Sequence, residues 1–224
     1  MFVSGDSRVN ENIVLTSLNT LFVREHNRIC QEVGSVFKHL SDQDLYMYGK
    51  NYVSALIAKI TYEDYLPLLL GEQHALGEYG GYFPDINPEV TNVFSTAAFR
   101  FGHFTIPNFM IKMNDQGEVI ESIRARDGTK NPSLITSYND IGYILKGESQ
   151  NIMKKRTVKM SDEMRNFLVK TPNRQVLLDL VALNIQRGRD HGLPDYNTYR
   201  KVLGLKAYKS FNDFSSDPKV VDKL

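Results

Sequence analysis

Apolar side chains recur every three or four residues near the start of the chain, which is the spacing of one face of an α-helix. Between residues 13 and 33 this pattern predicts an amphipathic helix, with Asn10 or Asn12 as its N-cap. The apolar positions on its face are Leu15, Leu18, Phe22, Ile29 and Val33.

The same periodicity predicts a second long helix over residues 41–66. Ser41 and Asp44 have the spacing of a capping box at its start, and Pro67 is expected to end it. A glycine-rich loop over 71–87 follows. The apolar face of this helix consists of Leu45, Tyr48, Tyr52, Leu56 and Ile60.

The middle of the chain alternates short helices with irregular segments. A helix is expected with Asn87 as its cap and Pro88 in its first turn, and its face carries Val90, Phe94, Ala97 and Phe101. Residues 110–123 predict a short β-hairpin that turns at 114–117. Short helices are expected around 139–146 and after Ser161.

The last third of the chain predicts two more helices. One spans 174–188, and Asp195 caps another that ends before Gly204. With no internal repeat, low-complexity tract or clear linker, the sequence predicts a mainly α fold with a short β-hairpin. We expect residues 1–224 to be one piece of a single α-rich domain.

Composition excludes several classes of protein. The chain of 224 residues has 42% hydrophobic and 24% charged residues and a net charge of +1, so nothing favours nucleic acid or an anionic membrane as a partner. Its single cysteine, Cys30, excludes an internal disulfide and a multi-cysteine metal site. Because no run of 18 apolar residues occurs, no membrane span is expected.

Asn184 is a polar residue on the apolar face of the predicted 174–188 helix. A buried amide without a partner costs about 1–3 kcal/mol, so its side chain should be hydrogen-bonded. It can accept the N–H of a buried imidazole, which fixes the ring tautomer and leaves the other nitrogen free for a metal. A hydrogen bond to a backbone carbonyl satisfies the same requirement.

His103 lies at the end of a predicted helix, in the segment AAFRFGHF, and Arg100 precedes it by one turn. A hydrogen-bonded core histidine explains this placement. A metal site with one protein nitrogen beside an arginine is a second explanation. It does not suit zinc, which needs three or four protein ligands, but it suits a haem iron.

Arg8 and Glu11 are three residues apart in GDSRVNENI and would share a face in a helical turn. Such a pair is ordinarily an exposed ion pair that contributes well under ~1 kcal/mol. The spacing alone therefore carries no functional conclusion.

Five segments together have a more specific pattern: GDSRVNEN, TLFVREHNRI, ITYEDYLPLLLG, AAFRFGH and ALNIQRGRDHGLPDYN. In this order they resemble the animal-type haem peroxidases of the peroxidase–cyclooxygenase superfamily, in the myeloperoxidase and peroxinectin branch. The resemblance covers nearly the whole chain. It implies a mainly α haem-peroxidase domain, of which residues 1–224 would be the central part, incomplete at both ends.

The resemblance also implies roles for six residues of a haem b site. His103 matches the proximal iron ligand, and Asn184 matches the asparagine that hydrogen-bonds the far nitrogen of that ligand. Arg8 matches the distal arginine, which stabilises charge as the O–O bond of peroxide breaks. Glu11 matches the glutamate that forms an ester with the haem. Arg100 and Arg187 match arginines close to the haem propionates.

The implied activity is reduction of hydrogen peroxide with oxidation of a second, organic or halide, electron donor. The family's distal histidine and calcium-binding loop are expected before this segment, and its last helices after it.

The other histidines, His26, His39, His74 and His191, are not expected to replace the distal one; His26 is expected in the core and His191 in a hydrogen-bonding role. Asn12 stands where one branch carries a methionine, so a third haem bond is not expected. An extracellular or lumenal location is implied by the family, although the chain shows no signal peptide.

Three other interpretations stay open. A peroxinectin-like adhesion or matrix protein could keep the scaffold with little or no catalysis. A fatty-acid dioxygenase or cyclooxygenase of the same superfamily is the second, although the RVNEN segment with its ester glutamate fits the peroxidase branch better. A helical module without a cofactor is the third.

Overall fold

The computed structural model describes residues 2–71, 77–155, 157–171 and 174–223. The fold is mainly helical with two short hairpins, and the sequence predicted the helical class and the first hairpin. Its α-helices are α1 Ile13–Val36, α2 Asp42–Lys59, α3 Leu66–Leu70, α4 Asn92–Thr96, α5 Tyr138–Gln150, α6 Asp162–Arg165, α7 Leu180–Asp190, α8 Tyr196–Val202 and α9 Pro218–Val221. Its strands are β1 Phe109–Met113, β2 Val119–Arg124, β3 Phe167–Thr171 and β4 Arg174–Leu178, paired as β1–β2 and β3–β4.

Two compact units make up the chain. The first contains Met1–Asn87, Lys112–Val119 and Thr129–Gly147, and the second contains Pro88–Ile111, Ile120–Gly128 and Glu148–Leu224. Within the described segments, no helix combines the length and the apolar character that a bilayer crossing needs.

The first unit is built on the long helices α1 and α2, and the sequence predicted both of their N-termini. The Asn12 side chain accepts a hydrogen bond from the Leu15 N–H and caps α1. The Ser41 hydroxyl accepts from the Asp44 N–H at 3.2 Å, and the Asp44 carboxylate accepts from the Ser41 N–H at 3.0 Å. The predicted capping box is therefore confirmed.

Gly49 lets α2 approach α1 closely. A Cβ at this position would lie 2.6 Å from Cys30 Sγ and 2.9 Å from His26 Cδ2, which is closer than van der Waals contact. Gly142 in α5 offers the opposite case, because a Cβ there would meet no heavy atom within 4 Å.

We expect Gly49→Ala to lower the free energy of unfolding by about 1–3 kcal/mol, because the added methyl overpacks the helix contact. Gly142→Ala should instead raise it by up to about 1 kcal/mol, since alanine has the higher helix propensity and nothing obstructs it. Chemical denaturation of the two variants checks this pair. Equal stabilisation at both positions would contradict the close packing at Gly49.

Pro67 does not end the second long helix, contrary to the sequence-based expectation. The helical path continues from α2 through a π-helical segment, Ile60–Tyr65, into α3. Pro67 lies in the first turn of α3, where its missing N–H removes no hydrogen bond that the helix needs. The wider π turn shifts the hydrogen-bond register just before the proline.

Two other helix predictions were wrong in their bounds. The helix expected from Asn87 and Pro88 begins only at Asn92, because the Thr91 hydroxyl accepts from the Phe94 N–H and forms the cap. The first part of the predicted 174–188 helix is strand β4, which pairs with β3 in the register Phe167↔Leu178 to Thr171↔Arg174. A short apolar run fits either a strand or a helix, and here the neighbouring 167–171 segment supplies a partner strand.

The other element predictions are confirmed. The β1–β2 hairpin turns where Gly117 N–H donates to Asn114 O, with Gly117 at a φ of +84° that favours glycine. The Asp195 side chain caps α8, and Gly204 follows it. The expected loop over 71–87 is irregular at 71 and 77–87, whereas residues 72–76, His74 among them, lie outside the described part of the chain.

A buried ion pair lies in the core of the first unit. Lys112 Nζ is 3.5 Å from Asp140 Oδ1 and donates to the Leu134 carbonyl at 2.9 Å. Burial alone would raise the pKa of Asp140. Hydrogen bonds from Ser137 and Thr136, together with the Lys112 charge, outweigh that cost and hold the pKa below its usual range.

Candidate functional site

His103 is carried by a 3₁₀ helix, Ala98–Phe104, which follows α4 after one residue. A 3₁₀ helix has three residues per turn, so side chains three apart eclipse each other. Arg100 and His103 therefore share one face. The segment is tied at both ends, since Arg100 Nε donates to the Ser95 carbonyl at 3.0 Å and the Lys154 N–H donates to the Thr105 carbonyl at 2.9 Å.

Asn184 and His103, 81 positions apart in the sequence, are in direct contact. The distance between Asn184 Nδ2 and His103 Nδ1 is 3.0 Å, and both residues are half-buried. Asn184 lies in the second turn of α7, whose start is fixed by Asp179, which accepts from the Val181 and Ala182 N–H groups. The structure therefore brings together the two residues that the sequence marked for different reasons.

The direction of this hydrogen bond differs from the sequence-based expectation, in which the asparagine accepts from the ring. In the structure Asn184 Nδ2–H donates to Nδ1 of His103. The oxygen and nitrogen ends of a carboxamide have nearly the same shape, and each suits one neutral tautomer of imidazole. A half-turn of the Asn184 side-chain amide presents Oδ1 to an Nδ1–H and leaves Nε2 as the free acceptor.

Three effects act on the pKa of His103. Burial lowers it, the nearby Arg100 charge lowers it further, and a hydrogen bond that the ring donates to the Asn184 side chain raises it; the net pKa lies below the ordinary value of a histidine. The ring is therefore neutral at neutral pH, which is the state in which an imidazole nitrogen can bind a metal.

We expect Arg100→Ala to raise the pKa of His103, because removing a cation makes protonation of the ring less costly. The matched control is Arg187→Ala, which removes an exposed arginine that does not affect the pKa of His103. Histidine NMR titration of the protein without haem checks both variants. An unchanged His103 pKa in Arg100→Ala would contradict the electrostatic role of Arg100.

The same depressed pKa has a consequence for stability. The unfolded chain binds a proton at His103 near pH 6.5, whereas the folded chain binds it only at lower pH. The contribution of this residue to stability therefore falls as the pH drops below about 6.5 and levels off below the folded pKa.

The donor set around His103 fits a haem group. His103 Nε2 has no hydrogen-bond partner among the described residues. With the Asn184 amide turned so that Oδ1 accepts from Nδ1–H, Nε2 would be unprotonated and available to a metal. Arg100 lies one turn before His103, and Arg187 is exposed one turn after Asn184 on α7. A cation one turn from a neutral imidazole is compatible with an iron ligand next to anionic propionates.

Arg8 and Glu11 belong to the first unit. An ion pair between them, the plain explanation of their spacing, does not form. Arg8 instead donates to both oxygens of Asp6, Nε to Oδ1 at 3.0 Å and Nη2 to Oδ2 at 2.6 Å. These hydrogen bonds hold the pKa of Asp6 at about 2, so its carboxylate is ionised at neutral pH.

Glu11 follows the short 3₁₀ helix Ser7–Asn10 and is exposed. Its backbone carbonyl accepts from the Lys130 N–H at 2.8 Å, which fixes the main chain at this point. Among the described residues its carboxylate accepts no hydrogen bond. The Arg8 side chain is 82% exposed despite its ion pair, so both side chains are accessible to a ligand.

Sequence reasoning missed two residues that contact His191. Asn92 and the buried Thr96, both in α4, contact the ring of His191 at the end of α7. The hydrogen-bonding role expected for His191 is confirmed, but its partners carried no signal, because a polar contact between distant segments has no periodicity. His26 is half-buried between α1 and α2, with Nε2 3.2 Å from the Tyr46 carbonyl.

The comparisons with known proteins agree on one class. The family model described as animal haem peroxidase matches residues 1–224, so the chain belongs to the animal haem peroxidase family. The chain is 37% identical to peroxidasin of Drosophila melanogaster over 96% of its length, and 33% identical to peroxinectin A of Dictyostelium discoideum over all of it.

Solved structures give the same result. Peroxidase A from Dictyostelium discoideum superposes on the whole chain with a TM-score of 0.91 and 32% identity, and the chain covers 42% of it. A fatty acid alpha-dioxygenase from Arabidopsis thaliana matches 93% of the chain with a TM-score of 0.75, but at 20% identity the likeness extends to the fold alone. The chain spans 14% of peroxidasin and 41% of peroxinectin A.

Proposed function

We propose that this chain is the central part of a single haem peroxidase catalytic domain and carries the proximal side of its haem site. The full-length protein would reduce hydrogen peroxide and oxidise a second substrate, a small organic donor or a halide. The observation that carries the proposal is the 3.0 Å contact between Asn184 and His103. It lies within two of the motifs that resemble the family, on a chain that the family model matches throughout.

In this proposal each side chain has a defined task. A bound haem b would supply the redox chemistry. His103 would hold it through Nε2. With its amide turned so that Oδ1 faces the ring, Asn184 would keep the proton on Nδ1 and fix the plane of the ring. Arg100 and Arg187 pair with the propionates.

Arg8 would stabilise the negative charge that develops on peroxide as its O–O bond breaks. The proton between the two peroxide oxygens needs a distal base. We propose that this base lies in a part of the longer protein outside these 224 residues, and that the calcium site does too. The chain alone would then cleave peroxide about 10²–10⁴-fold more slowly than the whole domain.

Glu11 is proposed as the residue that forms an ester with the haem. Its accessible carboxylate on a fixed backbone supports this role. Electrophoresis under denaturing conditions followed by haem staining is the test, with Glu11→Gln as the control. Haem that leaves the wild-type chain as readily as the variant would refute the ester.

The test of the proposed function is peroxide-dependent oxidation of guaiacol or a halide by the haem-reconstituted full-length protein. Turnover that needs both haem and peroxide supports the proposal. The match to peroxinectin A keeps an adhesion or matrix protein as the second candidate. Bound haem without turnover would favour that candidate, and absence of haem binding would contradict both.

An extracellular or lumenal location is proposed on the resemblance to the family.

A further inference from the structure

A polar cluster at the end of α7 connects that helix to α4. His191 Nδ1 lies 2.8 Å from Asn92 Oδ1, and Asn92 Nδ2 donates to the His191 carbonyl at 3.3 Å. The Asn92 amide thus contacts His191 twice, once at the ring and once at the main chain. Because an amide oxygen only accepts, Nδ1 of His191 carries the proton in this arrangement.

Thr96 completes the cluster from one turn further along α4. Its hydroxyl lies 3.2 Å from Asn92 Oδ1 and 3.3 Å from His191 Nδ1. The residue is 4% exposed. Without the imidazole its hydroxyl would keep Asn92 Oδ1 as its acceptor but would lose its contact with the residue at the end of α7.

The cluster and the His103–Asn184 contact join the same two segments of the chain. Asn92 and Thr96 precede the 3₁₀ helix that carries His103, and Arg100 Nε ties that helix back to the Ser95 carbonyl. On the other segment, His191 follows Asn184 by seven residues, about 10 Å along a helix that rises ~1.5 Å per residue. A single hydrogen bond leaves two segments free to rotate about it, whereas two attachments at this separation fix their relative orientation.

We propose that His191, with Asn92 and Thr96, is a positioning group for the proximal ligand. It keeps α7 in the orientation in which the Asn184 amide meets Nδ1 of His103, so that the amide can hold the ring in one tautomer. The inference rests on the proposed function, because the tautomer matters only if His103 binds the haem iron.

The test compares His191→Ala, His191→Asn and Thr96→Val in the full-length protein. Asparagine places an amide nitrogen close to the position of Nδ1, so it should restore the bond to Asn92. In haem-free protein at pH 8, we expect the ring ¹⁵N shifts of His103 in His191→Ala to move toward those of a free imidazole with mixed tautomers. Haem affinity should fall about tenfold, the lower end of the effect of outer-shell partners of metal ligands.

Both readouts, the ring ¹⁵N chemical shifts of His103 and the haem affinity, should be the same in His191→Asn as in the wild type. They should change somewhat in Thr96→Val and most in His191→Ala. His39→Ala is the matched control, an exposed histidine in the first unit that should change neither readout. If His191→Ala folds, wild-type chemical shifts of His103 and wild-type haem affinity overturn the inference. If it does not fold, unchanged His103 chemical shifts in folded Thr96→Val overturn it. If the wild type binds no haem, the proposed function fails, while the His103 shifts still decide the positioning role.

Discussion

Replacing His103 with alanine is expected to weaken haem binding to the full-length protein by more than about 100-fold and to remove the Soret absorbance of a histidine-ligated haem. Loss of an outer-shell partner alone costs about 10–100-fold in metal affinity, and the ligand itself should contribute more. The structural basis is the half-buried ring, whose Nδ1 is bonded to Asn184, and whose depressed pKa keeps it neutral. Haem titration followed by absorption spectroscopy measures the effect.

Asn184→Ala should retain haem with an altered spectrum, because the ligand remains but its orientation is no longer fixed. His39→Ala serves as the control, since its exposed ring contacts Phe37 at a centroid distance of 6.2 Å and the residue belongs to the first unit. A Soret band of wild-type position and intensity in His103→Ala would contradict the assignment of the ligand.

Replacing Arg8 with alanine is expected to slow the reaction with peroxide by about 10²–10³-fold, the usual cost of losing one donor that stabilises developing negative charge. Haem affinity should change much less, because Arg8 is proposed to act on the substrate. Stopped-flow mixing of the haem-loaded full-length protein with peroxide measures the rate. Arg8→Lys should recover only part of it, since lysine keeps the charge but not the forked geometry.

A suitable control for Arg8 is Arg28 in α1. It is also an exposed arginine in an ion pair, with hydrogen bonds to Glu25 and Glu32. Arg28→Ala should leave the rate with peroxide unchanged. Equal slowing by Arg8→Ala and Arg28→Ala would indicate a general electrostatic effect and would contradict a specific role of Arg8.

Elements whose signals are local could be predicted from the sequence. The capping box of Ser41 and Asp44, the cap at Asn12 and the turn at Gly117 all depend on residues within a few positions of each other. The β3–β4 hairpin and the path through Pro67 could not, because each depends on a partner segment or on a change of helical type. The 3₁₀ conformation around His103 belongs to the same group.

The candidate site divides in the same way. Periodicity showed that Asn184 needed a partner, and motif resemblance paired it with His103. The amide oxygen was expected to face the ring, whereas the structure places Nδ2 there. The spacing of Arg8 and Glu11 suggested an ion pair between them, but Arg8 pairs with Asp6 two residues earlier. The contacts of His191 with α4 join residues almost a hundred positions apart, which no local pattern reports.

Rescue of His103→Gly by imidazole tests the central claim most directly. Glycine removes the ring and leaves a space beside Asn184 that free imidazole can fill. We predict that His103→Gly in the full-length protein binds haem weakly without imidazole, and that added imidazole restores both the Soret band and the reaction with peroxide. Wild-type absorbance and reactivity of His103→Gly without imidazole would show that another residue binds the iron.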